Sequence, residues 1–401
     1  MKFTIKPVET RDELRMATDL MVGVHTNGDL AATRWLEDAS WRYPAYRTEH
    51  TRIATRRGEV LGALRLTTDT VRIGEARLKM GGLGWVATSP RHRKRGVGRR
   101  LIEDTLAYMR TNGYHISMLF GIPNFYHRFG FITSLTDYTI LMTTSEALTF
   151  ENPFKPSFAK PGEVPLIQRM HNANDANAVC SLVRTTAHMH NKWGRWSKWR
   201  LLKDEQGRAH AYLYAIAEGD CLYVIEAGVS DIGVCAAVVR AAGVMAKADE
   251  LASIRFCVPP ANPIARFLAQ FPSVHEAHVE RDGGGMMACI NIGETLESMI
   301  PEWESQLAKS AAIGLRTDFT LVVDRVPFRI RANRGAIDVA ATAGTSKISL
   351  KSTDLMHLLT GYRYPSDILD ERRCLVTTDA RALFNAIFPK RHPYVWRFDR
   401  F

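Results

Sequence analysis

The sequence predicts a mixed α/β and α+β protein, with two α/β domains in tandem followed by an α+β domain. Three observations carry that reading. Residues 80–88, apolar and small, read as a strand that runs into a basic, glycine-containing loop opening an amphipathic helix over 101–109. The element order of residues 60–120 recurs in weaker form over 209–258, which suggests an internal duplication. From about residue 291 the pattern changes to short alternating strands and two capped helices. The implied blocks are 1–150, 151–290 and 291–401, and a chain of 401 residues is long enough to hold several domains.

The elements follow in order. Thr10-Arg11-Asp12-Glu13 opens a helix with Thr10 as N-cap. Residues 52–55 and 60–67 alternate as a hairpin around Gly58, and a strand over 115–120 follows the loop helix. Four prolines between residues 150 and 165 read as a linker. In the second block, 209–217 and 221–229 read as strands, 232–248 as a helix and 254–258 as a strand. Trp193, Trp196 and Trp199 lie among basic residues, and packing is favoured over a nucleic-acid platform or ligand cage. In the third block, strands are expected at 319–323, 328–332, 337–341 and 347–350. Helices are expected at 353–361 and 379–388, the last with Asp379 as N-cap.

Composition narrows the class. Hydrophobic residues at 46% and charged residues at 24% suit a globular enzyme. No apolar run reaches the length of a membrane helix, and the amino terminus alternates like a strand rather than a signal peptide. The six cysteines are scattered with neither metal nor redox spacing, so reduced thiols and a cytoplasmic location are expected, with no metal site. The formal charge of +11 raises nucleic acid as a partner, but six of the positive residues fall between Arg91 and Arg100. No aromatic–basic motif supports nucleic-acid binding, and no nucleic-acid or membrane partner is expected.

That basic loop is the first chemical signal. After Val86-Ala87-Thr88-Ser89-Pro90 comes Arg93-Lys94-Arg95-Gly96-Val97-Gly98-Arg99, an RxxGxG pattern opening a helix. Helix N-termini present unpaired N–H groups and the positive end of a dipole, and glycines let a phosphate approach the backbone. Neither a GxGxxG fingerprint nor a GxxxxGK loop is present. The loop reads as a pyrophosphate cradle. In the second copy Ser230-Asp231-Ile232-Gly233 replaces it, so that copy is expected to be structural.

The second signal is Gly121-Ile122-Pro123-Asn124-Phe125-Tyr126-His127-Arg128-Phe129-Gly130-Phe131. A phenol at Tyr126 can protonate a leaving thiolate, with packing of Tyr126, or His127 as the acid, as the competing readings. The third is the ending Tyr394-Val395-Trp396-Arg397-Phe398-Asp399-Arg400-Phe401, aromatic to its last residue, which points to insertion. An inserted Phe401 carries its α-carboxylate inward.

The V-A-T-S-P strand end and the RxxGxG loop resemble the acetyl-CoA site of the GCN5-related N-acetyltransferases, and Tyr126, Gly130 and Phe131 match their Y-x-x-x-G-F context. With a loop-less second copy and a third block similar to the sterol-carrier fold, the whole chain resembles the Eis (enhanced intracellular survival) family. The resemblance implies acetyl-CoA as co-substrate, with Val86, Ala87, Thr88, Arg93, Lys94, Arg95, Gly96, Val97, Gly98, Arg99 and Asn124 as its site. It implies Tyr126 as general acid, the Phe401 carboxylate as base and Trp35 as a wall of the amine pocket. It further implies a homohexamer that acetylates primary amines, on aminoglycosides or lysine side chains. The sequence departs at Thr26-Asn27, where an acidic residue would be expected.

Direct transfer in a ternary complex is the expected mechanism. No cysteine precedes residue 180 and no GxSxG elbow occurs, so an acyl-enzyme has no evident nucleophile. A carboxylate titrating near 3.5 is a poor base for an ammonium of pKa about 8 to 10, so it is read as orienting the amine and relaying its proton through water. A lipid or ligand carrier and a basic nucleic-acid binder are the alternative functions.

Overall fold

The computed structural model describes residues 2–26, 36, 46–187, 189 and 198–401. Contacts divide the chain into two units. The first holds Met1–Ser134, Glu280–Arg391 and Phe401; the second holds Leu135–Val279 and His392–Arg400.

In the first unit a sheet runs in the order Thr4–Pro7, Thr51–Arg56, Glu59–Ile73, Ala76–Thr88, Ile116–Gly121, Gly284–Cys289, Ile132–Thr133. Helix Arg11–His25 forms as expected: the Thr10 hydroxyl accepts from the Glu13 N–H, and Leu14, Ala17, Met21 and Val22 are buried. Helix Val97–Thr111 buries Leu101, Ile102, Leu106 and Met109 in a core with Leu64, Leu66, Leu83 and Leu119. Strand Gly284–Cys289 joins this sheet from far along the chain. Its Met286, Met287 and Ala288 are buried, so the sheet gains a strand with both neighbours satisfied. A four-stranded sheet, Ala336–Ala340, Val326–Asn333, Arg316–Val323, Lys347–Leu350, belongs to the same unit. Phe319, Leu321 and Ile330 are buried there, as are Leu383, Phe384 and Ile387 of helix Thr378–Ile387. That helix is capped by Thr377, whose hydroxyl accepts from Ala380 N–H, and not by Asp379 as expected; Asp379 sits in the first turn, where a carboxylate favours the dipole.

The second unit repeats the plan. Strands Ala209–Glu218 and Cys221–Val229 pair antiparallel, helix Cys235–Ala248 follows, and Ser253–Phe256 pairs parallel to Cys221–Val229. Its sheet runs Val274–His278, Asp137–Thr143, Ser253–Phe256, Cys221–Val229, Ala209–Glu218, Trp199–Lys203, Lys155–Phe158. Strand Asp137–Thr143 lies in the block read from sequence as the first but pairs here. The proline-rich segment expected as a linker contains Lys155–Phe158, an edge strand, where Pro156 costs little because one edge lacks a partner. Trp199 is buried against Tyr212, Tyr214 and Phe398, which bears out packing for that tryptophan; Trp193 and Trp196 lie outside the described residues. None of the six cysteines forms a disulfide among the described residues, and Cys180, Cys221, Cys235 and Cys257 are buried. Among the described residues no helix is long and apolar enough to cross a membrane.

One core group of the first unit makes stability depend on pH. His50 is buried, its Nδ1 accepts from the Arg47 N–H, and burial lowers its pKa to about 4. The unfolded chain takes up this proton near pH 6.5 and the native state only near 4. Stability therefore falls as pH drops through that window, by roughly 3 kcal/mol once both states are protonated. Urea titrations at pH 7 and pH 4 should show a smaller difference for His50→Asn than for the native chain; equal differences would contradict the assignment.

Candidate active site

The site begins with a fault in a strand. Along the hairpin of Glu59–Ile73 with Ala76–Thr88, Ala63 faces Ala87 and Arg65 faces Gly84, so Leu64 alone opposes both Trp85 and Val86. This is a β-bulge, and Trp85 absorbs it at φ +55. Bulges turn a strand and break its ladder. Parallel pairing between Ala76–Thr88 and Ile116–Gly121 accordingly ends at Gly82↔Met118, although the two strands run on to Thr88 and Gly121. The strands part, leaving main-chain groups of the bulged segment without that ladder.

Phe401 lies in the parting. A Cβ on Gly82 would fall 2.3 Å from Phe401 Cζ, and a Cβ on Gly84 would fall 3.0 Å from its carbonyl carbon. The ring meets Phe120 edge-on at 6.1 Å. Gly82 and Gly84 are thus required by close approach, and they place the terminal carbon of Phe401 directly over the bulged strand. The insertion expected from the aromatic ending is what the structure shows.

Tyr126 covers the neighbouring position. It opens a short 3-10 turn, Tyr126–Phe129, and its ring packs where a Cβ on Gly121 would be, 2.4 Å from Tyr126 Cε2. Successive strand residues face opposite sides, so Phe401 covers the face of Phe120 and Tyr126 that of Gly121. Phe125 and Phe131 hold the ring at 4.9 Å and 6.3 Å. Burial pushes the pKa of the Tyr126 phenol up to about 12. The phenol therefore keeps its proton well beyond neutral pH.

The basic loop leads into helix Val97–Thr111. Gly96 stands at φ +79 before helix Val97–Thr111, with no side-chain cap and no acidic residue in the first turn. Thr88 reaches this helix: a Cβ on Gly98 would lie 3.3 Å from its Oγ1 and 4.0 Å from Phe125 Cζ. Arg93, Lys94, Arg95 and Arg99 are exposed around the loop, and Arg99 pairs with Glu103 at 2.8 Å. Val97 is buried as the helix's first anchor, and Ala87 is buried on the strand. Asn124 stands at φ +61 and donates its N–H to Asp282, turning the chain toward Tyr126. An uncapped helix end, two residues without side chains and a ring of cations fit a pyrophosphate.

The matching turn of the second unit does not. There Asp231 caps the turn, its carboxylate accepting from the Gly233 N–H, so a negative group already holds the position. Trp35 and Asn27 lie outside the described residues; Thr26 donates its hydroxyl to the Val22 carbonyl. Sequence reasoning missed two residues, the bulge residue Trp85 and His25. The imidazole Nε2 of His25 stands 3.2 Å from the Val86 carbonyl, and its ring meets Trp85 edge-on at 5.6 Å. No local pattern signals either one, because both depend on how the bulge turns the strand.

Glycine at 98 is a test of the cradle. Gly98→Val should weaken acetyl-CoA binding at least tenfold with little change in melting temperature, since the new side chain would crowd the helix end beside Thr88 and Phe125. Titration calorimetry decides it, and unchanged affinity would remove this helix end from the binding site.

Comparison with known proteins agrees with this geometry. The family model described as "Acetyltransferase (GNAT) domain" matches residues 5–133. No curated protein matches the sequence significantly. Among solved structures, the chain is similar to a GCN5-related N-acetyltransferase from Anabaena variabilis ATCC 29413, with 15% identity, full coverage of both chains and a TM-score of 0.75. One from Kribbella flavida is similar at 17% identity, again over both whole chains, with a TM-score of 0.75. Eis1 from Mycobacterium abscessus is similar over both whole chains at 13% identity, with a TM-score of 0.63. At these identities the likeness is one of fold. The matched domain makes the chain an N-acetyltransferase that uses acetyl-CoA, with a GCN5-related acetyltransferase domain over residues 5–133 in an Eis-like fold.

Proposed function

We propose that the protein transfers acetyl from acetyl-CoA directly to a primary amine, of aminoglycoside or lysine type, within a ternary complex. The observation that carries this reading is Phe401 placed over Gly84 where the strands part, with Tyr126 packed on Gly121 of the neighbouring strand. Main-chain groups of Val86, Ala87 and Thr88 align the pantetheine, and residues 93–99 with Asn124 hold the phosphates. The Phe401 carboxylate orients the ammonium and takes its proton through water. The free amine attacks the thioester carbon, a nearby N–H steadies the oxyanion, and as the C–S bond breaks the nitrogen loses its second proton to water. The leaving thiolate takes the Tyr126 proton, and bulk water restores it. Trp35 walls the amine pocket.

A three-block organisation (1–150, 151–290 and a sterol-carrier-like 291–401), a homohexamer and a cytoplasmic location go with this reading. The scattered free thiols support the last. Initial-rate kinetics test the mechanism. Intersecting patterns for acetyl-CoA and amine, with no acetylated protein on incubation with acetyl-CoA alone, are expected. Parallel lines with an acetyl-enzyme detected by intact mass would replace direct transfer with a covalent route.

A further inference from the structure

Residues 392–400 belong to the second unit, and they are bound there with unusual density. Tyr394 donates its N–H to the Val179 carbonyl and its hydroxyl to the Cys257 carbonyl, both at 2.9 Å. Trp396 donates Nε1–H to Asp175 at 2.8 Å, and Ser181 donates to the same carboxylate. Phe398 packs between Trp199 and Tyr214 at 5.1 Å and 4.4 Å. Arg400 pairs with Asp137.

At the centre is a buried ion cluster. Arg184 donates Nη1 and Nη2 to the two oxygens of Glu226, both at 2.7 Å, and Nε and Nη2 to Asp399 at 3.0 Å and 2.8 Å. Tyr212 also donates to Glu226, at 3.0 Å, and His171 Nδ1 stands 3.1 Å from the same oxygen. Arg184, Glu226 and Asp399 are essentially inaccessible to solvent. Glu226 comes from strand Cys221–Val229 beyond its last parallel pair, Val224↔Phe256. It is the counterpart of the segment that carries Trp85 and Val86 in the first unit. In the second unit, then, the segment that would serve a ligand holds the chain's own tail.

Buried ion clusters are a poor way to add stability. Desolvation offsets much of the attraction, and apolar residues of similar volume often do as well. What such a cluster supplies is a single geometry: a planar guanidinium gripped by two carboxylates admits one orientation of the partner. The partner here is Asp399, two peptide bonds before the residue whose carboxyl group the proposed reaction uses.

We infer that the Arg184–Glu226–Asp399 cluster is a clasp that keeps the chain's last residue seated, so that Arg184, Glu226 and Asp399 are positioning residues for the Phe401 carboxylate. The catalytic half of this inference rests on the proposed role of Phe401; the mechanical half does not. Asp399→Asn keeps the side-chain shape and leaves Arg184 paired with Glu226, so it is the variant to make. Carboxypeptidase A removes C-terminal aromatic residues and stops at arginine, so its release of Phe401 under native conditions, followed by mass spectrometry, reads the seating directly. Release is expected at least tenfold faster from Asp399→Asn than from the native chain. In acetyl transfer, kcat should fall at least tenfold while the KM for acetyl-CoA stays within twofold, a split that general loosening of the fold would not give. Should that variant not fold, Trp396→Phe, which loses the bond to Asp175 and part of the packing on Tyr394 and His171 that holds the same tail, takes its place with the same readouts. Release within twofold of native overturns the clasp. Faster release with unchanged kcat overturns the positioning role, provided that removing Phe401 itself abolishes transfer. If removing Phe401 leaves transfer intact, the proposed mechanism falls and the release rate alone still decides the clasp.

Discussion

Removing Phe401 is expected to lower kcat for amine acetylation by about 10²- to 10⁴-fold, the range for loss of a positioned proton acceptor. Acetyl-CoA binding should change little, because the cradle of Gly96, Gly98 and the basic loop lies on other residues. Deletion also empties the space over Gly82 and Gly84, into which the Phe401 ring and carbonyl carbon fit. A cleaner variant keeps the ring and removes the charge: Phe401 converted to its amide by semisynthesis. The two should agree within about tenfold in kcat if the carboxylate carries the effect. A fully active amide would assign Phe401 to packing alone.

Tyr126→Phe is the second large effect. Loss of a general acid costs roughly 10²-fold or more in kcat, and the ring packing against Gly121, Phe125 and Phe131 survives the change. Calorimetry should therefore find acetyl-CoA affinity within threefold of native. The pH profile adds a check. Because burial raises the Tyr126 pKa to about 12, the phenol remains protonated through pH 10, and the rate should not fall where a tyrosine ordinarily ionises. The rising limb then belongs to the amine losing its proton. A descending limb near pH 10 that vanishes in Tyr126→Phe would show an acid of ordinary pKa and contradict the burial argument.

Much of this was legible in the sequence because it is local. The RxxGxG loop, the glycine spacing and the helix it opens lie within a few residues, and each imposes its own backbone geometry. Tyr126 with Gly130 and Phe131 was legible for the same reason. The duplication was visible as a repeated order of strands and helices, and the missing basic loop set its second copy apart from the first. What escaped depends on distance along the chain. Strand Gly284–Cys289 completes a sheet begun by residues 4–7, and its burial on both neighbours leaves no signal of which sheet it joins. The bulge at Trp85 is set by tertiary packing, since no glycine marks a position at φ +55. Arg184, Glu226 and Asp399 lie far apart in sequence and look like ordinary surface charges until the fold buries them together. Asp379 and Thr377 are both competent caps, and only the chain's entry angle into the helix chooses Thr377.

The most direct test follows thiol release from acetyl-CoA by the full chain, with aminoglycosides, polyamines and lysine peptides offered in turn. Amine-dependent release, with the acetyl group recovered on the amine by mass spectrometry and lost on removal of Phe401, is the predicted result. Tight binding of acetyl-CoA with no release for any amine would contradict the assignment of the acceptor. Failure to bind acetyl-CoA would contradict the site itself.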